Sequence, residues 1–213
     1  MNNYDVVVIG AGGLGCAVLP YLAAAGIGTL TLFDHDEVDI TNLQRQILHT
    51  EQSVGVNKAH SAHKMLNQIN STIQLNIIDK AFSAEYTHII ELADVIVDCS
   101  DNLETRLLLN ELCWRYQTPL ISGSAIRMEG QVIHFPMRAQ DPCYACVTTL
   151  FGEQSLTCME AGVLSPVVGT IGTIQATEAL KSLLCLPPEK VSMTLYDARY
   201  LQFNTFDINK SSF

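Results

Sequence analysis

Three glycines near the start of the chain have the spacing of a phosphate-binding turn. Gly10, Gly12 and Gly15 form the pattern G-x-G-x-x-G between an apolar run, Tyr4–Ile9, and a helix-compatible stretch, Cys16–Ala25. Glycine at a strand-to-helix turn lets backbone N–H groups and the helix N-terminus approach phosphate oxygens. Because many nucleotide-binding proteins use this turn, the three glycines predict a nucleotide site without identifying its ligand.

An acidic residue after the next apolar run supports this prediction. Thr29–Phe33 is a second predicted strand, and Asp34 follows it about twenty residues after the glycines, where an acidic side chain can accept hydrogen bonds from ribose hydroxyls. The glycines and Asp34 fit an NAD-dependent oxidoreductase as well as a protein that binds ATP. Residues farther along the chain must distinguish these two functions.

Polar residues at later positions favour ATP. Thr41–Gln46, Lys58 and Ser100–Asn102 lie near predicted C-terminal ends of strands, where parallel sheets bind their ligands. Arg45 and Lys58 can neutralise triphosphate oxygens and Asp101 can hold Mg²⁺, a combination that hydride transfer does not need. The plain alternative is that Arg45 and Lys58 are solvated surface charges and Asp101 is a helix N-cap.

The elements that must position these residues alternate between strands and helices. After Asp34 the apolar pattern predicts helix Lys58–Asn70, strands Ile73–Ile78 and Val95–Asp98, helix Leu103–Tyr116, strand Leu120–Ser122, antiparallel strand Gln131–Pro136, a cysteine-bearing loop, helix Pro166–Leu184, and a hairpin of Ser192–Tyr196 and Leu201–Phe206. This order predicts an α/β fold with a Rossmann-like, doubly wound, mostly parallel sheet and antiparallel strands in its C-terminal part. We expect one domain over residues 1–213, with a nucleotide-binding part at about 1–123.

Charge and hydropathy exclude several classes of partner. The formal net charge of −10 argues against nucleic acid or an anionic membrane surface, since both require clustered Lys and Arg. The apolar stretch Val163–Leu184 contains Gln175, Glu178 and Lys181, which would be costly in a bilayer, so we predict a buried helix and no membrane contact. The start of the chain lacks the pattern of a signal peptide, and we expect a cytoplasmic protein.

Six ordered motifs carry a resemblance to a known family. They are Gly10-Ala11-Gly12-Gly13-Leu14-Gly15, Asp34-His35-Asp36, Thr41-Asn42-Leu43-Gln44-Arg45-Gln46, Asp98-Cys99-Ser100-Asp101-Asn102, Pro142-Cys143-Tyr144-Ala145-Cys146 and Cys158-Met159-Glu160-Ala161-Gly162-Val163. From Val6 to about Phe206 the chain resembles the ThiF/MoeB/HesA family, which includes the molybdopterin-synthase and thiazole-biosynthesis adenylyltransferases and related ubiquitin-activating enzymes.

The resemblance implies an ATP-dependent adenylyltransferase. Such an enzyme activates the C-terminal glycine of a small ubiquitin-like sulfur carrier ending in Gly-Gly as an acyl-adenylate, for sulfur transfer in thiamine or molybdenum-cofactor biosynthesis. It further implies a homodimer and a carrier-binding part at about residues 124–213. The nucleotide-binding residues that it implies are Gly10, Gly12, Gly13, Gly15, Asp34, Asp36, Asn42, Arg45, Gln46, Lys58, Asp101 and Asn102, with Asp34 on the ribose, Asn42, Arg45 and Lys58 on the phosphates and Asp101 on Mg²⁺.

The resemblance also assigns roles to cysteines. Cys158 matches the loop cysteine that takes over the activated carrier in some relatives, and it completes the predicted catalytic set of Arg45, Lys58, Asp101 and Cys158. The competing interpretation is that Cys158 is a packing residue. The other cysteines without a motif role are predicted to be packing residues: Cys16, Cys99, Cys113 and Cys185.

Two departures from the family weaken this interpretation. Cys143 and Cys146 form half of the family's zinc site, and the second Cys-x-x-Cys is missing, so bound Zn²⁺ is doubtful. No Lys or Arg precedes Arg45, so the N-terminal arginine of the relatives has no equivalent. A catalytically degenerate ATP- or carrier-binding relative is therefore the second hypothesis. We interpret His60 and His63 as part of a solvated helix face and not as a metal site.

Overall fold

One eight-stranded sheet organises the protein. The computed structural model describes the backbone of residues 1–151 and 162–210, and the side chains of these residues except 149–151. The strands are β1 (Asp5–Ile9), β2 (Thr29–Phe33), β3 (Gln74–Ile78), β4 (Val95–Asp98), β5 (Leu120–Ile126), β6 (Glu129–Phe135), β7 (Ser192–Asp197) and β8 (Gln202–Asp207). Their order is β3-β2-β1-β4-β5-β6-β7-β8; β1 to β5 are parallel and β6 to β8 are antiparallel. The predicted fold class is confirmed.

Helices cover both faces of this sheet. They are α1 (Gly13–Ala24), α2 (Lys58–Ile69), α3 (Thr87–Leu92), α4 (Leu103–Tyr116), α5 (Tyr144–Phe151) and α6 (Ser165–Leu183), with short 3₁₀ helices at Ile40–Asn42, Glu51–Ser53 and Ala84–Tyr86. Residues of α1, α2 and α6 pack on one face, and residues of α3, α4 and α5 pack on the other. The central strands β1 and β4 are buried on both faces, which explains their continuous valine and isoleucine runs.

In the part of the chain that the structure describes, two helices are absent from the sequence prediction and one strand is longer than predicted. Helix α3 was not predicted, and α5 begins in what the sequence indicated as a loop. Strand β5 continues four residues beyond the predicted Leu120–Ser122. Gly123 and Ser124 are residue types typical of turns, so the sequence did not indicate this continuation. In the structure, a Cβ at Gly123 would collide with the side chain of Gln175 from α6. Glycine in this strand therefore reflects the close approach of a helix and not a turn.

Helix α6 lies directly against α1 through a second close contact. A Cβ at Gly172 would lie 2.5 Å from the carbonyl oxygen of Leu14 and 2.8 Å from the Cβ of Ala17. Gln175, one turn later, is buried and donates from Nε2 to the carbonyl oxygen of Asp98 at 2.7 Å. The predicted buried helix is thus confirmed, and none of the helices described has the length and apolar character to cross a bilayer.

We expect Gly172→Ala to destabilise the protein, because the added methyl group must displace backbone atoms of α1. The expected loss in the free energy of unfolding is about 1–3 kcal/mol, as for other overpacking substitutions. Urea denaturation of the purified variant measures this loss. Gly169→Ala, on the same helix, is the matched control: a Cβ there meets nothing within 4 Å. It should raise stability by roughly 0.4–1 kcal/mol, and equal effects of the two substitutions would contradict the packing argument.

Candidate nucleotide site

The glycine turn lies where the strand order reverses. β1 pairs with β2 on one side and β4 on the other, so the segments that follow these three strands meet at one edge of the sheet. Gly10 has φ of +102°, and a Cβ on it would lie 2.8 Å from the carbonyl oxygen of Cys99. A Cβ at Gly15 would collide with the carbonyl oxygen of Gly10. Both positions require glycine because the backbones of β1, α1 and β4 approach so closely.

The N-terminus of α1 is suited to an anion. Gly12 is the N-cap residue, it supplies no capping side chain, and the first turn of α1 carries no acidic residue. The first N–H groups of a helix have no partner within the helix, and the helix dipole places partial positive charge there. Gly13 begins the helix against Val168 of α6. The geometry predicted for a phosphate-binding turn is therefore present.

Asp34 holds the glycine turn from the end of β2. Its Oδ2 accepts the backbone N–H of Ala11 at 2.6 Å, and its Oδ1 accepts the N–H of Asp36 at 2.9 Å. Burial raises the pKa of the Asp34 carboxyl, and the two N–H donors partly offset this effect. The structure thus places Asp34 beside the turn as predicted, with each oxygen already bonded to one backbone donor.

Asp36 and Lys58 form an ion pair at the same edge. Lys58 Nζ lies 2.8 Å from Asp36 Oδ2; the lysine side chain is 7% exposed and the aspartate side chain 54% exposed. Burial acts to raise the pKa of Asp36, but the hydrogen bond and charge of Lys58 outweigh it, and the pKa is lowered. Asn57 caps α2 and also donates to the carbonyl oxygens of Asp34 and Asp36. The interpretation of Lys58 as a solvated surface charge is wrong, since Asn57 places it inside the site.

Gln46 approaches the glycine turn at Gly12. It is buried, and its Nε2 donates to Asn42 Oδ1 at 2.9 Å and lies 3.8 Å from where a Cβ of Gly12 would be. Its Oε1 has no hydrogen-bond partner among the described residues. Arg45, the neighbouring residue, is partly exposed. The Asn42–Gln46 segment therefore lies beside the turn, as its motif predicted.

Asp101 and Asn102 follow β4, and the structure separates their roles. Asn102 is the N-cap of α4, with its side-chain oxygen accepting the N–H of Thr105 at 2.8 Å, and Asp101 is exposed. The interpretation of Asp101 as the helix cap is therefore wrong. Below the loop, buried Asp98 accepts from the N–H and hydroxyl of Ser100, and Arg106 donates to the carbonyl oxygen of Ser100 at 2.6 Å. This network holds the loop that presents Asp101.

His49 is a further residue at the turn, and none of the sequence motifs indicated it. This residue is buried; its Nε2 lies 2.9 Å from the carbonyl oxygen of Ala11 and its Nδ1 lies 2.9 Å from Ser61 Oγ. Burial lowers the pKa of the imidazole. His60 and His63, which we interpreted from the sequence as part of a solvated helix face, are exposed on α2. One available signal was the position of His49 directly after an apolar pair and three residues after the Gln46 motif.

Of the cysteines in the described part of the chain, Cys16 contacts the glycine turn, since its Sγ donates to the carbonyl oxygen of Ala11 at 3.3 Å. Cys158 lies outside the described residues. Cys143 and Cys146 lie beside α4 and α5 on the opposite face of the sheet, where Cys143 Sγ is 3.6 Å from Asn110 Nδ2. The packing role predicted for Cys16, Cys99 and Cys113 is confirmed, since all three are buried and burial raises their thiol pKa values. The packing prediction for Cys185 is wrong: it is exposed, with φ of +57°, where the chain turns after α6.

Fold and site together define a nucleotide-binding α/β protein with an anion-binding turn, a buried lysine and exposed acidic groups at one sheet edge. The ThiF family model matches residues 1–212. The molybdopterin-synthase adenylyltransferase of Escherichia coli (strain K12) is 44% identical over 213 residues, covering 99% of this chain and 86% of that protein. The adenylyltransferase and sulfurtransferase MOCS3 of Dictyostelium discoideum is 43% identical over 97% of this chain and 49% of its own length.

The chain therefore belongs to the ThiF family. It is an adenylyltransferase, as the resemblance implied, and an enzyme of this class takes the transferred group from ATP. Among solved structures, E. coli MccB with MccA-N7isoASN superimposes with a TM-score of 0.84 at 23% identity. The superposition covers 99% of this chain and 65% of that MccB chain. Because the identity is only 23%, the likeness shows a shared fold alone.

We expect Lys58→Met to raise the pKa of Asp36, because the variant removes the cation that stabilises the carboxylate. In the wild type, the folded pKa of Asp36 is lowered, so the ion pair stabilises the fold above the ordinary carboxyl pKa, and this contribution is lost as the pH falls through the folded value. Carboxyl ¹³C NMR titration measures the pKa. Lys64→Met, an exposed position on the same helix, should leave Asp36 unchanged. A titration curve of Asp36 that is the same in all three proteins would refute the pairing.

Proposed function

We propose that this adenylyltransferase activates the C-terminal glycine of a ubiquitin-like sulfur-carrier protein. The products are the carrier acyl-adenylate and pyrophosphate, and the activated carrier serves sulfur transfer in molybdenum-cofactor biosynthesis, with thiamine biosynthesis as the alternative pathway. The similarity to molybdopterin-synthase adenylyltransferases supports this choice. The observation that carries the proposal is that the buried Lys58 and the uncapped N-terminus of α1 are linked through Asp36 and Asp34 at one edge of the sheet, an arrangement that suits a polyphosphate.

The proposed roles follow the positions of the residues. The glycine turn, with Gly10, Gly12, Gly13 and Gly15, lies along the phosphates, and Asp34 and Asp36 are available to the ribose. Asn42, Arg45, Gln46 and Lys58 are assigned to the phosphates. Asn102 borders the pocket as the cap of α4. Because Lys58 is paired with Asp36, we infer that a phosphate oxygen replaces this carboxylate as its partner when ATP binds.

Asp101 fits a magnesium site. Its exposed carboxylate follows β4, the strand whose end contacts Gly10, and Mg²⁺ in nucleotide sites is held by one or two carboxylates and the substrate phosphates. When bound, Mg²⁺ supplies positive charge to the phosphate oxygens. The carrier carboxylate attacks the α-phosphorus and needs no general base, because it is already ionised near neutral pH. The residues of this chain therefore act by positioning and by charge stabilisation.

The remaining assignments are proposals as well. Cys158 is the candidate to receive the activated carrier, since a thiolate is the nucleophile of such transfers. Cys143 and Cys146 offer two thiol ligands, and the one group of three possible ligands found in residues 1–148 and 162–210 is Asp34, His35 and Asp36, so we derive no step from zinc. We propose a cytoplasmic homodimer, with residues 1–123 for the nucleotide and 124–213 for the carrier.

We expect Asp101→Asn to abolish carrier-dependent ATP–pyrophosphate exchange, because it removes the magnesium ligand without changing the shape of the loop. The expected loss is at least about a hundredfold, the size typical for removing one group that stabilises transition-state charge. Exchange is measured with ATP, Mg²⁺ and a sulfur carrier ending in Gly-Gly. Glu104→Gln is the matched control, since it removes one exposed negative charge three residues after Asp101, in the first turn of α4. Equal losses in both variants would contradict the role of Asp101.

Binding of nucleotide separates the proposed function from its alternatives. We expect ATP to stabilise the protein against heat, by about 2.7 kcal/mol at a concentration one hundred times the dissociation constant, and NAD to have no effect. Stabilisation by NAD instead would favour the oxidoreductase hypothesis. Stabilisation by ATP without exchange on any Gly-Gly carrier would favour a catalytically degenerate binding protein. Differential scanning fluorimetry with each nucleotide provides the measurement.

A further inference from the structure

Three buried side chains contact the backbone of Ala11, the residue between the first two glycines of the turn. Asp34 lies on its N–H side, and His49 and Cys16 lie on its carbonyl side, where the contact of Cys16 Sγ is the longer one, at 3.3 Å. Asp34 Oδ2 accepts its N–H at 2.6 Å, and His49 Nε2 contacts its carbonyl oxygen at 2.9 Å. Asp34 is 8% exposed and His49 is 4% exposed. The N–H and the carbonyl of Ala11 belong to the two successive peptide groups of the turn. Their hydrogen bonds therefore fix the rotation of both groups.

The contact with Ala11 determines the tautomer of His49. A carbonyl oxygen only accepts hydrogen bonds, so Nε2 of His49 must carry the proton that it donates. Nδ1 is then the acceptor of the neutral ring, and it faces the Ser61 hydroxyl at 2.9 Å, which can donate. Both ring nitrogens are thus satisfied, and the ring has one orientation. The bond to Ser61 restrains the imidazole as well as stabilising the core.

The direction of the Ala11 carbonyl also determines the direction of the next N–H. In a trans peptide group the carbonyl and the N–H point to opposite sides. Because the Ala11 carbonyl points to the buried His49, the N–H of Gly12 points away from it. Gly12 is the uncapped N-cap of α1, where a phosphate would be bound. His49 thereby orients an N–H donor at the predicted phosphate position.

His49 connects this turn to the helix that carries Lys58. Ser61 lies three residues after Lys58 on α2, and both side chains are buried. Residues three apart lie on the same face of a helix. A single imidazole therefore spans the space between the turn after β1 and the face of α2 that presents Lys58. The relative position of the two proposed phosphate-binding groups depends on this bridge.

We propose that His49 is a positioning residue of the nucleotide site, which fixes the Ala11–Gly12 peptide group for phosphate and keeps α2 in register with it. This inference rests on the proposed function, since it assumes that the turn binds the phosphates of ATP. His49 does not touch the substrate. Its effect should appear in the affinity for phosphates and not in the affinity for the nucleoside.

The test compares two substitutions that each keep a different part of the imidazole. In His49→Gln the side-chain amide can reach the place of Nε2 and donate to Ala11, so we expect ATP affinity within about threefold of the wild type. In His49→Asn the amide is too short for this bond, and we expect ATP affinity to fall about tenfold or more, the equivalent of one lost hydrogen bond. Affinity for adenosine should be the same in both. Isothermal titration calorimetry measures ATP, and competition against ATP measures adenosine.

Control variants separate positioning from a general loss of stability. His63→Gln and His63→Asn change an exposed histidine on α2 and should leave both affinities unchanged. If the ratio of ATP affinity to adenosine affinity in His49→Asn equals that of the wild type, His49 has a structural role alone and the inference is overturned. If the wild type does not bind ATP, the proposed function fails first, and the two failures are thereby distinguished.

A measurement on the wild-type protein covers the case in which His49→Asn does not fold. The ¹⁵N NMR shifts of the imidazole report which nitrogen carries the proton. We expect a neutral ring with the proton on Nε2, and a change of both shifts on addition of ATP but not of adenosine. A proton on Nδ1, or shifts that ATP leaves unchanged, would overturn the inference.

Discussion

The close approach of three backbone segments at the end of β1 is the constraint on which the rest of the structure depends. The turn after β1 passes the end of β4 at Gly10, the first turn of α1 packs against Gly10 through Gly15, and neither glycine has room for a Cβ. This contact sets where α1 begins. The position of α1 in turn sets the position of α6, which reaches Leu14 through Gly172. Helix α6 then places Gln175 against β4 and β5, so one packing chain extends from the turn to the middle of the sheet.

Buried charges around this turn are of two kinds. The first kind is closed: Asp98 is 1% exposed, and its oxygens accept from Ser100 and Ser122 while Arg106 bonds the carbonyl oxygens of Ser100 and Gly123. Groups satisfied in this way stabilise the ends of β4 and β5. The second kind is open, because Lys58 is buried but its partner Asp36 is half exposed. An incoming anion can therefore replace the exposed Asp36 carboxylate as the partner of Lys58, as the proposed role of Lys58 requires.

The antiparallel strands extend the same sheet that carries the proposed nucleotide site. Strands β6 to β8 continue the same sheet beyond β5, and α6 covers β4, β5 and β6 from the α1 side. Membership in the ThiF family and adenylyltransferase activity agree with a phosphate site at the parallel half. The last strand, β8, is exposed along its whole length at the edge of the sheet, separated from β4 by β5, β6 and β7.

The sequence by itself determined the order of the eight strands and of four of the six helices described, the direction of most strands, and the glycine, Asp34, Asn42–Gln46 and Asp101 motifs that follow strands at one edge of the sheet. It could do so because apolar periodicity, glycine spacing and strand-end acids are local features. Only the tertiary structure showed that Asn102 and not Asp101 caps α4, that Lys58 is buried beside Asp36, that Gly123 lies within a strand, that Cys185 is exposed and that His49 bridges Ala11 and Ser61. Most of these facts depend on contacts between residues far apart in the chain. The capping of α4 is local, but the sequence could not show whether Asp101 or Asn102 would adopt the backbone geometry of the cap. The type of a residue and the residues next to it in the sequence do not determine which distant backbone atoms its side chain will contact.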